Sequence, residues 1–184
     1  MTRGPTLSAH RLPQLTGRLP IPAQTRSPSA PLLDTFNTVP AEEAHETLLT
    51  CLHSLRWARR VAEHRPYPTP EALLAASDEA AYDLTAGDLT EALAAEALPT
   101  LPEGTYEAAH TALSAAHAAY EARFGHVFVI CLDGVPQNEV LDHVLEGIRS
   151  RLTNDPEEER VVTAEELRRL ARQRLGKLLQ GRGL

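Results

Sequence analysis

An all-α, single-domain helical bundle is the fold class this sequence predicts, and three observations carry it. Alanine and leucine dominate the 184 residues while aromatics make up only 4%, a balance that favours helix over sheet. Beyond the N-terminal stretch, apolar residues recur at three- and four-residue spacing, the period of a helix with one buried face. A single run, His126–Leu132 (HVFVICL), has strand-like composition, and no comparable run exists to pair with it. With 42% hydrophobic residues the chain holds one domain's worth of core.

Met1–Pro31 differs from everything after it. It holds Arg3, Arg11, Arg18 and Arg26, no acidic residue, and prolines at 5, 13, 20, 22, 28 and 31, so a disordered extension is expected over 1–31 and the helical domain over 32–180. Thr38-Val39-Pro40 opens a helix with Glu42 and Glu43 in its first turn, where carboxylates suit the helix dipole. Ala44, Leu48, Leu52 and Leu55 give that segment its buried face, and Trp57, Ala58 and Val61 begin the next. After the break at Arg65-Pro66-Tyr67-Pro68, Thr69-Pro70-Glu71 starts a helix to about Ala76, with proline at its first position. Ser77–Leu84 and Ala86–Ala95 continue in the same style, a proline-marked loop follows around Pro99 and Pro102, and Tyr106–Arg123 is helical with Gly125 as its stop.

The run 126–132 is then a buried extended segment between helices. Val135–Leu152 is amphipathic through Val140, Leu141, Val144, Leu145 and Ile148, Thr153–Pro156 turns the chain, and a last helix covers about 156–179. Thr163-Ala-Glu-Glu166 has capping-box spacing and marks a restart or kink within it.

Composition excludes several functions. A formal net charge of −7 argues against a nucleic-acid surface. No run is long and apolar enough to span a bilayer and no signal-peptide core is present, so a soluble, cytoplasmic protein is expected. Seventeen of the 18 basic residues are arginine, the mark of a GC-rich genome rather than of a function. Cys51 and Cys131 sit in apolar runs without CxxC spacing and read as reduced thiols. His45, His53, His64, His110 and His117 lack metal-site spacing, so no metal is expected, and His126 reads as a structural hydrogen-bonding residue.

One residue stands out on physical grounds. Leu167, Leu170, Ala171, Arg174 and Leu178 share a face of the last helix, which sets Arg174 in the middle of an apolar stripe. A guanidinium there needs an anion or several acceptors: either a buried ion pair, or an anion-binding arginine at the floor of a pocket. The extended run 124–130 poses a similar question, because backbone N–H and C=O groups outside a sheet must find partners.

Two blocks of the chain resemble one enzyme family. They are Phe36–Tyr67 (FNTVPAEEAHETLLTCLHSLRWARRVAEHRPY) and Ala119–Leu179, through AYEARFGHVFVICLDG, LTNDPEEE and EELRRLARQRLGKLL. They look like 2-oxo-4-hydroxy-4-carboxy-5-ureidoimidazoline (OHCU) decarboxylase, a cofactor-free carboxy-lyase that completes the conversion of urate to allantoin. The resemblance implies an all-helical fold, a small ureide-like ligand and no cofactor. It implies a substrate contact from Arg174, and a pocket lined by the backbone of Phe128, Val129 and Ile130. The family is generally homodimeric; the residues themselves point neither way.

The departure lies in the expected catalytic loop. Family members run from a helix ending in Leu-Ala-x into His-Pro-x-Ile-Gly, and a Ser-x-x-Glu-Gln motif follows. Here the matching residues are Glu96-Ala97-Leu98-Pro99-Thr100 and the second motif is absent. Decarboxylation needs a proton donor and stabilisation of the electron pair left on carbon. Glu96, Glu103 and Glu107 are the carboxyl groups that could take that work. Three readings follow: a decarboxylase yielding (S)-allantoin, or a related ureide lyase, with its acid–base group moved to one of these; a catalytically degenerate paralogue that keeps a small-molecule pocket for binding or regulation; or an enzyme of another substrate class on the same helical scaffold. If Glu96 faces a concavity that Arg174 also lines, the first gains.

Overall fold

The computed structural model describes Met1 and residues 30–98 and 107–181. The extension expected over 1–31 lies almost wholly outside the described residues, as do Pro99–Tyr106 and with them Glu103. Eight α-helices and one 3-10 turn make up the described chain: α1 Ala30–Thr38, α2 Ala41–Cys51, α3 Leu55–Glu63, α4 Pro70–Tyr82, α5 Ala86–Ala95, α6 Glu107–Phe124, the turn Gln137–Glu139, α7 Val140–Arg151 and α8 Pro156–Leu179. The all-α class is as expected, and no strand occurs among the described residues. No helix among them is long and apolar enough to cross a membrane.

Local chemistry explains most boundaries. Ser54, Thr69 and Thr85 each accept a backbone N–H at the start of α3, α4 and α5, and Pro70 holds the first position of α4. Gly125, at φ 78°, ends α6 in the left-handed conformation that glycine adopts without a Cβ penalty. The expected restart at Thr163 does not occur. α8 runs unbroken for 24 residues, and its capping box is at Asp155 and Glu158 instead. Thr163 is 1% exposed and uses its hydroxyl in a buried ion-pair network. Likewise α4 continues to Tyr82 rather than pausing near Ala76, because Leu73, Ser77, Ala80 and Ala81 form one uninterrupted buried face.

α8 is the pole of the fold. It presents Leu167, Ala171, Leu175 and Leu179 to a core built with α1 to α5, including Leu48, Trp57 and Leu73. Arg168 and Arg172 of α8 both pair with Asp78, clamping α4 against it. A second cluster joins α6 and α7 through Leu113, Tyr120, Val140, Val144 and Ile148. Segment 127–132 divides the two. Val127 and Val129 face the first cluster, while Phe128, Ile130 and Leu132 face the second. That alternation is the period of extended backbone, here covered on both sides by helices. The strand-like composition of HVFVICL therefore reflects burial of two faces rather than membership of a sheet. Where α7 passes this segment, a Cβ on Gly147 would come within 3.1 Å of Ile130 Cδ1 and 3.3 Å of Phe128 Cζ, so glycine permits the close approach.

His117, whose ring lies against Phe128 of the second cluster, is 5% exposed and its Nε2 has no hydrogen-bond partner among the described residues. Burial lowers its pKa from the ordinary 6.5, against a smaller upward pull from Glu121. The unfolded chain thus takes up this proton at higher pH than the folded one. Stability is complete above pH 6.5 and declines as pH falls through the window below, by at most about 1.4 kcal/mol per pH unit. Urea midpoints between pH 7.5 and 5 should fall in the wild type and fall less in His117→Leu; parallel curves would refute the assignment.

Candidate functional site

The C-terminal end of α5, the extended segment and the last turns of α8 enclose an open cavity of about 640 Å³, within the range of small-molecule sites. Its walls include Glu96, Val129, Ile130, Gln137, Leu170, Gln173, Arg174 and Lys177. The four α8 residues fall at helical spacing, so one edge of the helix floors the cavity while Leu167, Ala171, Leu175 and Leu179 remain in the core. Arg174 is therefore at the margin of the apolar stripe, with its side chain 27% exposed, and not in its middle.

Glu96 is the C-cap of α5, in an extended conformation at ψ 142°. That turn swings its side chain across to α8. Its Oε1 accepts from Arg174 Nη1 at 2.6 Å and its Oε2 from Nη2 at 2.7 Å, a two-pronged guanidinium–carboxylate pair. Arg174 Nη1 also donates to the Cys51 carbonyl at 3.0 Å, one of the last carbonyls of α2. Hydrogen bonding to Glu96 raises the Arg174 pKa above its ordinary value. Glu96 and Arg174 line the same concavity, and they do so bound to one another.

Beside them, Ile130 contributes backbone. Arg151 Nη1 donates to the Val129 carbonyl at 2.6 Å, and Cys131 N–H donates to Glu166 Oε2 at 2.7 Å. Among the described residues none donates to or accepts from the Ile130 N–H and C=O between them. In extended backbone, successive residues direct these groups to opposite sides. Anchoring 129 and 131 toward α7 and α8 thus leaves Ile130 able to offer one donor and one acceptor to a ligand.

The anchor is itself buried. Arg151 is bound by Glu159 through Nε at 2.8 Å and Nη2 at 2.6 Å, and Nη2 reaches Thr163 Oγ1 at 3.0 Å. Tyr120 donates its hydroxyl to Glu159, and the Arg151 guanidinium lies 4.5 Å from the Phe128 ring centroid.

The sequence-predicted residues separate accordingly. Glu96, Arg174, Val129 and Ile130 meet at the cavity. Phe128 is wholly buried behind it, against Tyr120 and Arg151. Glu107 is exposed in the first turn of α6 and does not line the cavity. His126 is half-buried, with Nδ1 3.0 Å from the Val127 carbonyl and its ring against Tyr120 and Phe124. Cys51 is buried and its thiol is pushed up to about 11 by burial, while Cys131 is half-buried; both are free. No three His, Cys, Asp or Glu among the described residues gather closely enough to hold a metal ion. Sequence reasoning missed Lys177, Gln137 and Gln173. The signal for Lys177 was available, since it is the single lysine among 18 basic residues.

Comparison with known proteins bears on the family and the fold. A family model described as OHCU decarboxylase matches residues 37–104 and 100–176. A crystal structure of (S)-allantoin synthase is similar at TM-score 0.64 and 19% identity, covering 79% of this chain and 53% of that one. A crystal structure of OHCU decarboxylase in the presence of (S)-allantoin is similar at TM-score 0.63 and 21% identity, covering 77% of this chain and 99% of that one. The chain thus spans about half of the first structure and nearly all of the second, and at these identities the likeness establishes the fold. No curated protein matches the chain at a comparable level.

Proposed function

Because the chain belongs to the OHCU decarboxylase family, we propose that it is a ureide-binding protein of purine catabolism that does not itself decarboxylate OHCU. The observation that carries this reading is the pairing of Glu96 with Arg174, at 2.6 and 2.7 Å inside the cavity. Losing carbon dioxide leaves an electron pair on carbon, which needs a proton donor poised beside it. By resemblance Glu96 stands where the family places its histidine. With both carboxyl oxygens accepting guanidinium N–H bonds, the group serves as an ion-pair partner. The same pair occupies the arginine that the resemblance assigns to substrate. A ureide bearing a carboxylate would meet a carboxylate where it needs a cation. What remains is a pocket with hydrogen-bonding capacity and, among the described residues, no proton-transfer group in place.

A second reading, decarboxylation by Glu96, is favoured by one observation: Glu96 does line the concavity that Arg174 lines. One experiment separates the two. The labile substrate is generated in situ from urate, and allantoin is followed by circular dichroism, with (S)-allantoin binding measured by calorimetry. The expected result is racemic allantoin at the uncatalysed rate, together with saturable binding. An (S) excess that disappears in Glu96→Ala would establish the second reading and overturn the first.

A further inference from the structure

We infer that a second cavity, on the neighbouring edge of α8, binds a phosphate group through Arg169, Arg172 and Lys177. This cavity, of about 570 Å³, shares only Gln173 and Lys177 with the first, and the site is independent of the ureide reading above. Three of the four ionised side chains on its wall are cations, Arg169, Arg172 and Lys177. The fourth, Asp133, already accepts from Gln173 Nε2 at 3.1 Å. Arg169 donates from Nε to Glu165 at 3.0 Å and from Nη1 to Glu166 at 3.2 Å, while Arg172 uses Nη1 alone, on Asp78. Asp78 and Glu165 are each shared with Arg168, so both carboxylates serve two guanidinium groups. Among the described residues Arg169 Nη2, Arg172 Nε and Nη2, and the Lys177 ammonium make no hydrogen bond. The two arginine side chains are half-exposed and Lys177 is exposed, so these donors can turn toward the cavity. Donors left over on three side chains suit an anion with more than two acceptor oxygens. A phosphate monoester offers three, with a charge of about −1.5 to −2 at pH 7, where a carboxylate offers two in one plane. The carbonyl end of α8 opposes an anion, and three cations rather than one offset it.

Gly176 supplies an independent observation. It lines this cavity within α8, where glycine is less stable than alanine. Neither packing nor backbone explains it: a Cβ built there meets no heavy atom within 4 Å, and its φ is not among the positive ones. The space above it is open floor, next in sequence to Lys177 and one helical turn from Arg172. Without a Cβ, a ligand oxygen can lie against the helix backbone between the two cations. Leu74 and Cys131 also line the cavity, giving an organic body attached to the phosphate apolar surface to cover.

The test is calorimetry of the full chain with inorganic phosphate, glycerol 3-phosphate and glycerol, at one ionic strength set with sodium chloride. Both phosphate probes should bind saturably and glycerol should not. Arg172→Gln should weaken phosphate binding about tenfold, the scale of one charge-assisted contact, while Arg168 still holds Asp78. Gly176→Ala is the sharper variant. Losing a helix glycine should raise the urea midpoint in phosphate-free buffer, while the added methyl should weaken phosphate binding by about tenfold. A glycine without a binding role would give the first effect and not the second. Tighter binding of glycerol 3-phosphate identifies a monoester as the ligand; equal or weaker binding identifies free phosphate, and either supports the site. No saturable binding of either probe to the wild type overturns the inference. Binding left unchanged by either variant places the anion elsewhere on the protein and overturns it as well. Should the variants fail to fold, Lys177 decides on the wild type. Reductive methylation with ¹³C-formaldehyde labels its single side-chain amine, whose NMR signal should move with phosphate and stay fixed with glycerol. A signal fixed under phosphate, while calorimetry records binding, contradicts the assignment.

Discussion

Replacing Glu159 with alanine should destabilise the protein by about 3–5 kcal/mol, the penalty for stranding one partner of a buried ion pair. The side chains of Arg151 and Glu159 are 8% and 1% exposed. Glu159 gathers Arg151, Tyr120, Thr163 and, through its second oxygen, Asn154 at 2.9 Å. Removing it leaves a guanidinium among Phe128, Tyr120 and the Val129 carbonyl with nothing to balance its charge. Burial pushes the Glu159 carboxyl up, but hydrogen bonds from Arg151 and then Tyr120 outweigh that and hold it below the ordinary 4.5. Its contribution is therefore present above pH 4.5 and lost as pH falls through the lower folded value. Urea denaturation at pH 7 measures the loss, and a change under about 1 kcal/mol would show the network to be dispensable. Because Arg151 also fixes the Val129 carbonyl, ligand affinity should fall in any variant of this pair that stays folded.

Much of this fold was legible in the sequence, for physical reasons that also mark where legibility stopped. The helices of the first core carry their own punctuation, as Thr69-Pro70 and Gly125 show. The 126–132 segment was readable because a lone strand is untenable, which left burial between helices as the remaining explanation for its apolar residues. Thr163 misled for the opposite reason. Its spacing to Glu166 satisfies a local rule, while its role is tertiary, a hydroxyl serving an ion pair between α7 and α8. Arg151 left no readable trace, because whether an arginine in an amphipathic helix is solvated or buried depends on packing from distant elements. Arg174 was identifiable because the sequence sets it in an apolar stripe, although the structure puts it at the margin, and its two possible fates, ion pair or ligand contact, were both visible. Which of them holds depends on Glu96, 78 positions away. Only the turn at the end of α5 brings that side chain within reach.

The Glu96–Arg174 pair decides what its cavity can hold, and a double-mutant cycle tests it most directly. Glu96→Gln, Arg174→Gln and the double variant are compared with the wild type by urea denaturation at pH 7. Each single change strands one charge, whereas the double change replaces the ion pair with two neutral amides that can still hydrogen-bond. The geometry predicts a coupling energy of about 1–3 kcal/mol, with Arg174→Gln the costlier single change because it leaves the better-buried carboxylate unpaired. A coupling near zero, with the two single effects simply adding, would mean that Glu96 and Arg174 do not engage one another in solution. Arg174 would then be free for a ligand anion, contrary to the account.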